Sequence, residues 1–302
     1  MTTERTAVRP RLRPEVVLGP GLRAGARTVH RVTDRATGCS YRVGAREHFV
    51  MRLMDGRHTT DDIGRAYRQE FGKVLGPDSW RQIHVMLGRY RLLADYADPV
   101  ALDRLRAERE ARDAARTGKG TWYRRRWVLA RPDRLCGALA RVLAPAFRTP
   151  LVVLQLLLAA AVQAVVWTRP ATLAGDAADH PPLPVAVPVL LLLGWGLTAV
   201  HELAHGVACR HFGGRVAEIG VRWRLPFLIP YCRTDDILLF PGRAARVGTA
   251  FAGIHAVLVL MAPLALVWSL APPGGPLRSF AAVLLLFGSA GSLGALLPFL
   301  AM

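Results

Sequence analysis

Residues 200–207 read VHELAHGV, and they lie inside an apolar run from Leu183 to Cys209, LPVAVPVLLLLGWGLTAVHELAHGVAC. A run of that length can cross the hydrocarbon core of a bilayer, which takes about 20 helical residues. His201, Glu202 and His205 are therefore expected at hydrocarbon depth. Each ionisable group there costs about 2.5–3.5 kcal/mol on insertion scales, so three together call for a function or for a polar contact between helices. On a helix, positions i and i+4 share a face, and both imidazoles of His201-Glu202-Leu203-Ala204-His205 can reach one metal ion. Zinc accepts such nitrogens, and a water at its open position loses a proton near neutrality. Glu202 is placed to take that proton and deliver it to a leaving amine.

Three further apolar runs flank this one, at about 150–168, 247–271 and 280–302. Each is long enough to span. Loops with proline and glycine separate them, at 169–182 and 272–278. The basic residues are nearly all arginine, and their placement orients the chain. Residues 1–149 carry a net charge of +15, against +3 for residues 150–302. The segment 119–148, KGTWYRRRWVLARPDRLCGALARVLAPAFR, holds 8 basic residues and one acid, with Trp122, Tyr123 and Trp127 interleaved. It reads as a segment on an anionic membrane face, ahead of the first span. The basic flanks after the second run and before the third fall on that same side, and the outer loops carry only Arg169 and Arg278. The expectation is a multi-pass protein of the cell membrane with a cytoplasmic N-terminus. The stretch MTTERTAVRPRLRP has no apolar core, so no cleaved signal peptide is expected. Cys39, Cys136, Cys209 and Cys232 show no paired spacing, which fits a reducing compartment for the polar part.

The first hundred residues read as a small globular domain. RTVHRVTDRATGCSYRVG predicts two strands with a turn near 34–38. REHFVMRLMDG predicts a helix with Phe49, Val50, Leu53 and Met54 on one face. TTDDIGRAYRQEFG predicts a second, capped by Thr59 or Thr60 and stopped by Gly72, and DSWRQIHVMLGRYRLL a third, capped by Asp78. The expected fold class is mixed: a small α/β winged-helix-like domain over 12–98, a basic linker and membrane-surface segment over 99–148, and an all-α polytopic membrane domain over 149–302. The linker 99–118 is charged, alanine-rich and expected to be helical. The segment EIGVRWRLPFLIPYC, 218–232, is too interrupted by proline to span and is expected as an edge strand, a re-entrant hairpin or an interfacial loop.

HELAHGVACRHFGGRV resembles the metal-binding helix of site-2-type intramembrane zinc metalloproteases. More narrowly it resembles their bacterial peptide zinc metalloprotease branch, in which a PqqD-like winged-helix domain precedes the membrane spans. The likeness runs from about Leu12 onward and is strongest at 196–216, at PYCRTDDILLFP (230–241) and at the Pro-Phe of LLPFL (296–300). By that resemblance His201 and His205 bind Zn2+ and Glu202 is the catalytic acid/base. Asp236 falls at an aspartate of the branch's Tyr-Cys-Asp-x-x-Asp stretch, whose earlier aspartate is Arg233 here. The family's third ligand is an aspartate of an Asp-Gly motif that follows a stretch like Asn-Leu-Leu-Pro-Phe. The matching stretch here is ALLPFLAM, with Ala295 at the asparagine position and Met302 last. Three expectations stay open: a shortened chain, an inactive relative, or another residue completing the site. For the last, His255 lies about 12 Å deep in the third run, as His201 does in the second, counting 1.5 Å per residue. Asp235 and Asp236 lie in the connecting loop and could fold back. His211, past the helix end, is expected to face solvent or headgroups.

Function follows with alternatives. The first is an intramembrane zinc metalloprotease cleaving a peptide or single-span membrane protein, with a role in maturing a ribosomally made peptide. The second is a membrane-anchored peptide-binding protein with an incomplete catalytic centre. The third is a membrane-tethered winged-helix regulator. Residues 1–100 carry a net +7, which invites nucleic acid, but the charge is spread and the second helix opens on Asp61 and Asp62. Membrane lipids and a peptide substrate are thus the expected partners, and nucleic acid is disfavoured. PqqD-like domains bind leader peptides by adding a strand to a sheet edge.

Overall fold

A computed structural model of the chain describes residues 8–25, 27–118, 124–224 and 227–300. The chain divides into two compact units, residues 1–119 with 238–241 and residues 120–237 with 242–302.

The first unit opens with an antiparallel meander of β1 (Val16–Ala24), β2 (Arg27–Asp34) and β3 (Ser40–Gly44), in the order β1-β2-β3. The two expected strands are β2 and β3, with Gly38 at φ 70° in the turn between them. β1 is additional. Its Gly-Pro-Gly centre reads as a breaker, yet it forms a bulge: Leu18 pairs Val32 and the next partners are Gly21 and His30. A Cβ on Gly19 would stand 2.8 Å from the Arg31 carbonyl oxygen, so the strands approach there because glycine has none.

Three helices follow: α1 (Ala45–Leu53), α2 (Thr60–Phe71) and α3 (Pro77–Arg89). Thr59 caps α2 through a full capping box with Asp62, and Gly72 ends it at φ 63°. α3 starts one residue before the expected Asp78 cap. Gly76 is its N-cap and Pro77 its first residue, where a missing N–H removes no helical bond. Val32, Val50, Met51, Ile63 and Leu87 form the centre of this unit's core. Asp34 is fully buried and pairs Arg13 at 2.5 Å, while accepting from Thr37 Oγ1 at 2.7 Å and the Ala36 amide at 3.0 Å. The expected helical linker is α4 (Pro99–Gly118).

The second unit contains β4 (Arg124–Ala130), α5 (Asp133–Val142), a 3₁₀ turn at Ala144–Phe147, α6 (Thr149–Thr168), α7 (Pro170–Ala178), α8 (Leu183–His211), β5 (Glu218–Arg224), β6 (Phe227–Arg233), α9 (Arg243–Leu270) and α10 (Pro276–Leu300). Among the described residues, four of its helices are long and apolar enough to cross a membrane: α6, α8, α9 and the 276–296 part of α10. Leu154, Leu157, Leu191 and Leu192 leave their side chains exposed on α6 and α8, as lipid-facing positions do. Val166, Leu173, Met261 and Leu285 bring α6, α7, α9 and α10 into one core.

The expectation that this half is all-α is corrected. The strands β4, β5 and β6 form an antiparallel sheet in that order. EIGVRWR alternates large apolar with polar side chains, a period of two that suits a strand with two unlike faces, whereas RRRWVLA is a basic run followed by an apolar one and carries no such pattern. Part of the basic segment expected on a membrane surface is thus a sheet strand. Its aromatic pair Trp122 and Tyr123 lies outside the described residues. The expected loop at 169–182 contains α7, held by Asp176. That carboxylate accepts from Trp268 Nε1 at 2.7 Å and from Arg278 Nε at 2.9 Å.

Candidate metal centre

α8 is an apolar helix whose last three turns carry His201, Glu202 and His205. Helical spacing puts the two imidazoles on one face, towards α9. Their Nε2 atoms lie 3.2 Å apart, with the rings inclined at 77°. α9 presents Gly253 to both. A Cβ at that position would stand 2.5 Å from each Nε2, so only a glycine leaves room for the pair. His205 is fixed from behind, because its Nδ1 lies 2.7 Å from the Thr249 carbonyl oxygen. An N–H on Nδ1 leaves the Nε2 lone pair facing His201 and available to a cation.

Glu202, about 100° further round α8 than His201, reaches β6. Its Oε2 accepts the Cys232 amide N–H at 2.9 Å. The outward edge of β6 meets α8 a second time, where Trp195 Nε1 donates to the Leu228 carbonyl at 3.1 Å. The segment read as an edge strand, hairpin or loop is therefore a β-hairpin whose outer strand runs along the histidine-bearing helix.

Two nitrogens each about 2.0–2.1 Å from a tetrahedral zinc stand about 3.3 Å apart. The spacing of the two Nε2 atoms, 3.2 Å, matches that requirement. The pair fits zinc as two of its ligands. Among the described residues no group of three His, Cys, Asp or Glu side chains is placed to hold a metal. Neither further candidate joins the pair. His255, also on α9, has its Nε2 2.7 Å from Gln155 Oε1 on α6. That couple lines an apolar cavity of about 800 Å³ bounded by α5, α6, α8 and α9. Asp236 accepts the Arg215 amide N–H at 3.0 Å, and Asp235 is paired with Arg233 Nε at 2.6 Å. His211 stacks on Phe147 with ring centroids 4.0 Å apart.

Sequence reasoning missed Gly253, Thr249, Gln155 and the Cys232 amide. A glycine in an apolar helix and a backbone carbonyl or amide carry no chemical signature in the sequence. Gln155 had one: an amide in a run expected to lie in hydrocarbon needs a partner.

No family model, no curated protein and no solved structure matches this chain.

Proposed function

We propose that this chain is an intramembrane zinc metallopeptidase of the site-2 type, acting on a peptide or single-span membrane protein near the cytoplasmic face. The observation that carries the reading is the pair of imidazole nitrogens 3.2 Å apart in a membrane-length helix, with Glu202 as the carboxylate between them in sequence. Zinc, when bound by His201 and His205, supplies a Lewis acid and lowers the pKa of a coordinated water. The remaining roles belong to the protein. The Thr249 carbonyl holds His205 in the tautomer that offers Nε2. The Cys232 amide orients Glu202, whose carboxylate takes the proton of the attacking water and returns it to the leaving nitrogen.

The arginine flanks support a multi-pass arrangement with the N-terminal half in the cytoplasm. In that arrangement the His201–His205 pair lies towards the cytoplasmic end of α8. The three-stranded meander followed by three helices supports a PqqD-like winged-helix role for the first unit, holding a leader peptide along the outer edge of β3. A second reading is favoured by one observation, the absence of a third ligand among the described residues. On it the chain binds peptides at the membrane without cutting them.

Zinc per chain in detergent-purified protein separates the two. About one zinc in the wild type, lost in His205→Ala and kept in Glu202→Gln, is expected of the peptidase. Wild-type protein that retains no zinc in zinc-supplemented buffer overturns that reading and leaves peptide binding.

A further inference from the structure

Three of the four cysteines, Cys136 on α5, Cys209 on α8 and Cys232 on β6, converge from distant parts of the sequence. Gly206 of α8 is where two of them, Cys136 and Cys232, meet. A Cβ there would stand 2.9 Å from Cys136 Sγ and 3.2 Å from Cys232 Sγ, so these two sulfurs lie at most about 6 Å apart. Cys209 is engaged elsewhere, with its thiol 3.6 Å from the Arg215 carbonyl oxygen. Cys136 and Cys209 are fully buried, whereas Cys232 is half-buried and keeps access to solvent. Three inert thiols filling a core would explain the burial. They would not by themselves explain a glycine at a point where a Cβ would crowd two sulfurs at once.

We infer that Cys136 and Cys232 form a disulfide site that ties β6 to α5 beside Glu202. Bond formation requires the two sulfurs, now at most about 6 Å apart, to close to about 2 Å. The co-reactant is hydrogen peroxide. The Cys232 sulfur attacks the terminal peroxide oxygen, the O–O bond breaks, and the thiol proton leaves with the departing hydroxide as water. The resulting sulfenic acid is attacked by the Cys136 sulfur, its S–O bond breaks, and the hydroxyl leaves with the second thiol proton as water. Two thiols are oxidised by two electrons, and one hydrogen peroxide becomes two waters. Burial pushes the Cys232 thiol up to about 12 and raises Cys136 as well. Little thiolate is therefore present, and oxidation is slow. The backbone N–H of Cys232 is the group that holds Glu202. A bridge to α5 fixes the strand on which that N–H sits.

The test uses the full chain in detergent, treated with hydrogen peroxide or kept in dithiothreitol. After free thiols are blocked in denaturant, non-reducing digestion and mass spectrometry map the linkages. A Cys136–Cys232 peptide that disappears in Cys136→Ser and on reduction is expected. In the oxidised wild type, amide exchange over 227–233 is expected to slow severalfold. Recovery of Cys136 and Cys232 as alkylated thiols while Cys39 is consumed overturns the site, as does a linkage to Cys209. An unchanged exchange rate across β6 in bridged protein overturns its action on the strand. None of these readouts requires zinc or peptidase activity, so the site and the zinc reading fail separately.

Discussion

His205 and Gly253 meet across the α8–α9 seam, with His205 Nε2 2.5 Å from the point where a Gly253 Cβ would lie. The same point is 2.5 Å from His201 Nε2. A side chain on Gly253 must therefore push both imidazoles away from each other or push the helices apart. We expect Gly253→Val to lower zinc affinity at least tenfold while His201 and His205 remain in place in the sequence. Competition with a fluorescent zinc chelator on purified protein reads this directly. Wild-type affinity in Gly253→Val would show that the two imidazoles do not bind one ion in the seam.

His255 tests whether depth in the membrane is enough to make a ligand. Its imidazole already shares a hydrogen bond with Gln155 at 2.7 Å, at the wall of the apolar cavity. His255→Leu is expected to leave zinc per chain unchanged. It leaves the part-buried Gln155 Oε1 without its partner while Nε2 still donates to the Ala146 carbonyl at 3.2 Å, a loss of about 1 kcal/mol. Thermal denaturation in detergent should fall accordingly, and His255→Leu with Gln155→Leu should recover part of the loss. Loss of zinc in His255→Leu would instead assign it as a ligand.

The membrane-length helices and the i,i+4 histidines were legible because both rest on local chemistry. Length and apolarity predict a crossing helix, and helical spacing predicts a shared face. Thr59 and Gly72 were legible for the same reason, since capping is decided within four residues. β1 was not, because Gly19-Pro20-Gly21 breaks the alternation that marks a strand, and only pairing to β2 absorbs it as a bulge. The sheet β4-β5-β6 was only half legible. β5 and β6 are adjacent in sequence, but Arg124 pairs Arg224 across a hundred residues that include α6 and α8. No local pattern reports such a partner. The same holds for the Cys232–Glu202 bond, which joins a strand amide to a helix side chain.

Asp34 anchors the first unit. Both of its oxygens are used, by Arg13, Thr37 and the Ala36 amide, and Arg13 also donates from Nε to the Arg91 carbonyl at 2.6 Å. Removing Asp34 leaves the buried Arg13 guanidinium with only Glu15 as counter-charge, a part-exposed carboxylate 3.5 Å away, so the cost lies towards the lower end of the about 3–5 kcal/mol of a broken buried pair. Asp34→Ala is expected to make residues 8–118 sensitive to limited proteolysis while the membrane-length helices stay protected. The double variant Arg13→Met with Asp34→Leu should be much less affected, because it buries no lone charge. Equal protease resistance in wild type and Asp34→Ala would remove the pair from the unit's stability.

His48 gives that unit an acid response. Its ring stacks on His30 with centroids 3.7 Å apart and planes inclined at 13°. Burial, then the charge of His30 and of Arg52, lowers the His48 imidazole from its ordinary 6.5 to about 4, and the Gly19 carbonyl opposes them. The unfolded chain thus takes up a proton that the folded chain refuses. Stability from this group is complete above about pH 6.5 and is lost as the pH falls towards 4. Asp55 and Asp62, held at about 2 chiefly by hydrogen bonds, stay ionised across that window. Allowing for partial solvent screening, the loss is on the order of 1–2 kcal/mol. The midpoint of urea unfolding of the first unit, followed in the full chain between pH 7 and 4, should fall more steeply in wild type than in His48→Gln. Parallel slopes in the two proteins would assign the acid response to other groups.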